Sequence, residues 1–335
     1  MAFAINKKLS PVTQLVVAVI IYIAFAGWLM GPHLDKFAGV QKILLLTPII
    51  SATGAYMLAR RYVNSFVASF LGGIIYGFGS FTVAFYCFHP FAFCVYAALP
   101  WTFIPAVFLY KLPRFSSNTA NLLAAVLSLV PFLFVFAVFW LAAKFYLYPI
   151  PPETIVSSNS FAAIITPLLS SADVFSLGFY HASFGALLVG LVLFFKTRRF
   201  WTAVLLILAV LLAFYNPLLN VPPVFWLSFI ALICSLIIAE GFEAMTLAGK
   251  TDANWLLLAA AALILQAGVT YALHRPIDYQ LSSALSAVSV IAVLFVFFIA
   301  RAGLAMHYLR MAVLYISALV DILIVTREMI TKVLS

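Results

Sequence analysis

The sequence has little charge, with 9 Asp+Glu and 18 Lys+Arg making up 8% of 335 residues. Soluble domains of ordinary composition are about a quarter charged, so the usual polar shell cannot be assembled from this chain. Cysteine is scarce too. The three residues Cys87, Cys94 and Cys234 imply no disulfide framework, and their apolar surroundings suit packing. No histidine pair has metal-ligand spacing among the five present, so neither a Cys/His metal centre nor a cofactor is expected. No strong catalytic motif and no low-complexity tail appear. What is abundant is apolar: 66% hydrophobic residues, 33 Phe, 15 Tyr and 6 Trp, with a mean hydropathy of +1.19.

Apolar runs of span length recur from Leu15 to the C-terminus. The expected fold is therefore all-α: a polytopic transmembrane bundle of ten to eleven spans, forming a single integral membrane domain over residues 1–335. The spans are expected at 13–30, 43–59, 64–83, 91–110, 119–143, 178–195, 200–215, 224–240, 254–273 and 282–300. The run 302–325 would be an eleventh span or an interfacial helix, because Arg310 and Asp321 sit within it. Residues 144–177, broken by Pro167, should lie along or dip into the outer face. Eleven basic residues, the Arg60-Arg61 and Arg198-Arg199 doublets among them, fall on one side of this topology and four on the other. That bias places the N-terminus in the cytoplasm and the chain in a bacterial inner membrane, multi-pass. It also accounts for the net charge of +9 without a nucleic-acid partner. The partners expected are membrane lipid and other membrane subunits.

Polar groups are costly in such a chain and so mark candidate sites. The first outer loop, Gly31-Pro-His-Leu-Asp-Lys36, brings His33 and Asp35 two residues apart. Asp35 there is either a general base with His33 beside it, or part of a solvated turn paired with Lys36 or Lys42. His89, in the Cys87–Phe91 turn, either meets an anionic headgroup or caps a helix. His274 and Arg275 open the loop ending at Asp278; Arg275 holds a phosphate or pairs locally with Asp278. Glu240 and Glu243 share one side of a helix, either as a cation site or as a helix end meeting water. Gly73 and Gly77 form a small-xxx-small notch, with Gly72 beside it, for close approach of another helix.

Two stretches resemble a family. The run Arg60-Arg61…Ser65-Phe-Val-Ala-Ser-Phe-Leu-Gly-Gly-Ile-Ile-Tyr-Gly-Phe-Gly-Ser80, followed by His89-Pro90 and Leu99-Pro100, is similar to YfhO-like bacterial membrane proteins of the GT-C glycosyltransferase class. So is Tyr215-Asn-Pro-Leu-Leu-Asn-Val-Pro-Pro-Val-Phe-Trp226 with Ala239-Glu-Gly-Phe-Glu-Ala-Met245. The resemblance implies an outward-facing site with a polyprenyl-phosphate sugar as donor and Asp35 as the activating aspartate. His89, His274 and Arg275 would meet the lipid phosphate. The first outer loop is shorter than the family's, Val221-Pro-Pro replaces its arginine pattern, and no soluble outer domain follows. These departures favour a reduced, non-catalytic accessory subunit that binds lipid. A polyprenyl-phosphate-sugar-dependent glycosyltransferase and a lipid or small-molecule transporter are the alternatives.

Overall fold

The computed structural model describes residues 10–36, 45–79, 82, 96–104, 200–214, 223–246 and 253–273. Single positions are added from 123 to 137, at 190, from 288 to 298 and from 312 to 330. Regular structure among the described residues is entirely helical. Helix α1 (Pro11–Met30) runs into a 3-10 helix, Gly31–Lys36. It is followed by α2 (Thr47–Tyr62) and α3 (Phe66–Phe78), then by α4 (Phe200–Phe214), α5 (Pro223–Thr246) and α6 (Ala253–Leu273).

The helix ends follow local chemistry. Ser10 caps α1 by accepting the Thr13 N–H at 3.1 Å, and Pro11 occupies the first turn, where its missing N–H costs nothing. Arg60 and Arg61 lie in the last turn of α2, where cations complement the helix dipole. Ser65 caps α3, with its hydroxyl facing the Ala68 N–H and its carbonyl taking the Ser69 N–H.

Small residues set the spacing. A Cβ on Gly77 would lie 2.6 Å from Pro48 O and 2.7 Å from Ala52 N, so α2 and α3 meet backbone to backbone there. Gly73 faces the Tyr22 hydroxyl and Ala52 O, and Gly72 faces Ala239 of α5 at 3.0 Å. The Gly72/Gly73/Gly77 stretch therefore serves three neighbours at once. Two apolar clusters result. One joins α1, α2 and α3 through Ala18, Tyr22, Ala52, Tyr56, Ile74 and Phe78. The other joins α3, α5 and α6 through Leu71, Ile238, Phe242 and Leu256. Tyr76 and Tyr96 stack at 4.3 Å and donate to each other's carbonyls at 2.8 and 2.9 Å, which settles two buried hydroxyls without water.

The polytopic expectation is corrected here. Among the described residues one helix is long and apolar enough to cross a membrane, Pro11–Asp35, with 22% of its apolar window buried. The expected spans 43–59, 64–83 and 200–215 emerge as helices of 16, 13 and 15 residues. At 1.5 Å per residue α2 and α3 reach about 24 and 20 Å, short of the roughly 30 Å of hydrocarbon a span must cross. The expected segments 224–240 and 254–273 are helical within α5 and α6. Among the described residues the supported architecture is a helical fold with one candidate span. The multi-pass inner-membrane location and the GT-C-like bundle rested on the larger number and fall with it. So do the membrane lipid, polyprenyl-phosphate lipid and membrane-subunit partners, and the accessory-subunit, glycosyltransferase and transporter readings. Expectations for 144–177, and for most of 119–143, 178–195 and 282–325, lie outside the described residues.

Candidate functional site

The described polar side chains converge most densely at the turn between α2 and α3. Arg60, in the last turn of α2, donates through Nη1 to Asn64 O and, at 3.4 Å, to Val63 O. Its Nη2 donates to Gln14 Oε1 of α1 at 3.0 Å. From the opposite side, Glu243 of α5 accepts the Asn64 and Ser65 N–H groups on a single oxygen, Oε1, at 2.8 and 2.9 Å. Residue 64 is thus gripped at its carbonyl by a cation and at its N–H by an anion. Both contacts are charge-assisted, the stronger class of hydrogen bond.

The reason for this arrangement is local. The first N–H groups of a helix have no intrahelical acceptor, and their dipole attracts negative charge. Ser65 serves one of them, and Glu243, 178 residues on in sequence from Ser65, takes the N–H of this cap residue and that of Asn64 just before it. Tyr315 stands against this corner, its ring 4.8 Å from that of Phe242. Burial raises the pKa of its hydroxyl, a hydrogen bond with Ser65 works against the rise, and the Glu243 charge adds a smaller push upward. The arrangement ties α2, α3 and α5 together through the backbone of residues 63–65, and α1 through the Gln14 side chain. Among the described residues no group of three or more His, Cys, Asp or Glu is placed to hold a metal ion.

The residues singled out from the sequence are distributed differently. His33 and Asp35 lie in the 3-10 helix Gly31–Lys36, His33 half-buried and Asp35 exposed. His89, His274 and Arg275 lie outside the described residues. Glu243, predicted to be one of two glutamates at a helix end or in a cation site, instead reaches the α2–α3 turn. Arg60 was read as a marker of topology, and its role as a clamp was missed. The available signal was Arg60 four residues before Asn64-Ser65, a polar helix start that needs a partner.

Cys234 lies on α5, and burial pushes its thiol up to about 11 from 9.0. The unfolded chain therefore deprotonates first, and any contribution of this thiol to stability is whole below about pH 9 and lost as the pH rises towards 11. At pH 8 a rise of two units leaves about a hundredth of the thiolate of a free cysteine. Iodoacetamide labelling followed by peptide mapping should find Cys234 modified at least about fiftyfold more slowly in the folded chain than in denaturant. Equal rates would show that the thiol is not held in this environment.

Compared with protein families, curated proteins and solved structures, the chain matches none.

Proposed function

We propose that this chain works by helix-to-helix contact, as an assembly scaffold whose α1 docks against α1 of a second copy. The observation that carries the reading is a second small-residue notch, on the outside of α1. Gly27 and Gly31 are one turn apart, and a Cβ at either would have no described atom within 4 Å. The inner face of α1 buries Ala18, Tyr22, Ala26 and Leu29, while Val12 (70%), Ile20 (59%) and Trp28 (52%) stand exposed on other sides. A helix that is apolar all round has to be covered on all sides. Gly72, Gly73 and Gly77 show how such notches are used within this chain, as places where a helix backbone approaches closely. Bulk apolar surroundings need no notch, whereas a crossing helix does. A notch on one copy meets the same notch on another across a two-fold axis.

The test is the association state of the full chain, measured by sedimentation or by cross-linking through a cysteine at Val16, which is half-exposed. Gly27→Leu should reduce self-association about tenfold or more, because the side chain fills the approach path. Asp35→Asn should leave association unchanged. A chain that is monomeric at all concentrations, or a Gly27→Leu variant associating as the parent does, would overturn the reading.

A further inference from the structure

The grip on residue 64 falls on a dipeptide with chemistry of its own. Among the described residues asparagine occurs at 64 and 254; Asn64 is followed by the small Ser65, Asn254 by the bulky Trp255. In an asparagine–serine pair the backbone nitrogen of the serine can attack the side-chain carbonyl carbon of the asparagine. A bond forms between Ser65 N and Asn64 Cγ, the Cγ–Nδ2 bond breaks, and Nδ2 leaves as ammonia with the proton that Ser65 N gave up. Water then opens the cyclic imide, leaving aspartate or isoaspartate at position 64. Asn64 is exposed, so water can enter and ammonia can leave. Yet the attacking nitrogen is the one that donates to Glu243 Oε1 at 2.9 Å. The Asn64 N–H goes to the same oxygen at 2.8 Å, and Asn64 O is held by Arg60.

We propose that Asn64–Ser65 is a deamidation site held in check by the Arg60/Glu243 clamp. Attack needs Ser65 N within bonding reach of Asn64 Cγ, and local opening is the ordinary route to such a geometry in a folded chain. Here opening has to break charge-assisted bonds at both backbone groups of Asn64 and at the nitrogen itself. The anion also opposes the step directly. The nitrogen gains negative charge as its proton departs, and a carboxylate at hydrogen-bond distance disfavours that charge. A carboxylate is too weak a base to compensate by removing an amide proton. The contact that joins the helices therefore sets the rate of a covalent change, and the change is incompatible with the contact. Isoaspartate routes the main chain through one additional carbon between residues 64 and 65. Either product adds a carboxylate at a residue whose N–H already meets Glu243. Once modified, the corner of α2, α3 and α5 does not re-form. This site is independent of the α1 notch.

The experiment follows Asn64 and Asn254 in the full chain at mildly alkaline pH, by peptide mapping with detection of isoaspartate. Asn64 should convert at least about tenfold more slowly in the folded chain than in denaturant, the weight of one charged hydrogen bond. Glu243→Gln keeps the reach and gives up the charge, and should speed conversion in the folded chain about fivefold. Arg60→Ala releases the Asn64 carbonyl while leaving Glu243 in place, and should speed it by a similar factor. In denaturant all three chains should convert Asn64 at one rate. Asn254, exposed on α6, reports loosening of the whole fold and should keep the parent's rate in both variants. Equal conversion of Asn64 in folded and denatured parent would overturn the proposal. So would a Glu243→Gln rate at or below the parent's, which would make the carboxylate a base for the reaction. A rise shared by Asn254 in both variants would place the protection in the fold at large and overturn the role of the clamp.

Discussion

Gly77→Leu should remove about 3 kcal/mol or more from the stability of the fold, the upper range for forcing volume into a packed interior. The position allows no easy relief. A Cβ there lies 2.6 Å from Pro48 O and 2.7 Å from Ala52 N, both backbone atoms of α2. Flexible side chains can rotate away, but a helix backbone moves only as a unit. Separating α2 from α3 by even one ångström strips contacts from Ala52, Tyr56 and Ile74 in the same cluster. Chemical or thermal unfolding of the full chain measures the loss directly. A total stability of about 5–15 kcal/mol would be cut by a fifth or more. Gly268 in α6 is the internal control, because a Cβ there has no described atom within 4 Å. Gly268→Ala should stabilise by about 0.5–1 kcal/mol, since only helix propensity changes. Equal effects at the two glycines would mean that α2 and α3 do not meet at Gly77.

This contrast also shows how far the sequence could be read. The Gly73/Gly77 spacing predicted a helix notch, and the structure fills it with α2, because close approach depends on side-chain size and i, i+4 spacing, both of which are local. The helical class was legible for the same reason: apolar runs with Ser10-Pro11 and Ser65 at their starts specify helix ends without tertiary information. The membrane topology was overread. Apolar composition counts residues that must avoid water but does not say whether lipid or another helix covers them. In α2, Ala52, Ala55, Tyr56 and Leu58 are 0–2% exposed and covered by protein. The helix also ends at Tyr62, in the same turn as its arginine doublet. A hydropathy window sees the apolar residues and not their neighbours. The polar clamp was hidden for a related reason. Glu243 and Asn64 are 179 positions apart, and no pattern in either segment names the other.

Removing that carboxylate is the second large effect expected. Glu243→Ala should destabilise by about 2–3 kcal/mol, since the two N–H groups it accepts at the start of α3 lose a charged acceptor together. Water can reach the exposed Asn64 side of the turn more readily than Ser65, which keeps the loss below twice the value of a single charged bond. Glu243→Gln keeps an amide oxygen at the same reach but gives up the charge that the helix dipole favours, so about 1 kcal/mol is expected. Ser65→Ala removes a longer contact of 3.4 Å at the same helix end and should cost about 0.5–1 kcal/mol. The order Ala at 243, then Gln at 243, then Ala at 65 is the prediction, and denaturant midpoints with unchanged slopes would establish it. The decisive measurement is the double variant with Arg60→Ala. Arg60 holds the carbonyl of Asn64 and Glu243 holds its N–H, so each fixes the backbone conformation that the other needs. Once one grip is lost the turn relaxes, and losing the second costs less. The double variant should therefore fall short of the sum of the singles by about 1 kcal/mol, within the range for residues sharing one network. Strict additivity would mean that the two charges act on separate features, and that the corner joining α1, α2, α3 and α5 is not held as one unit.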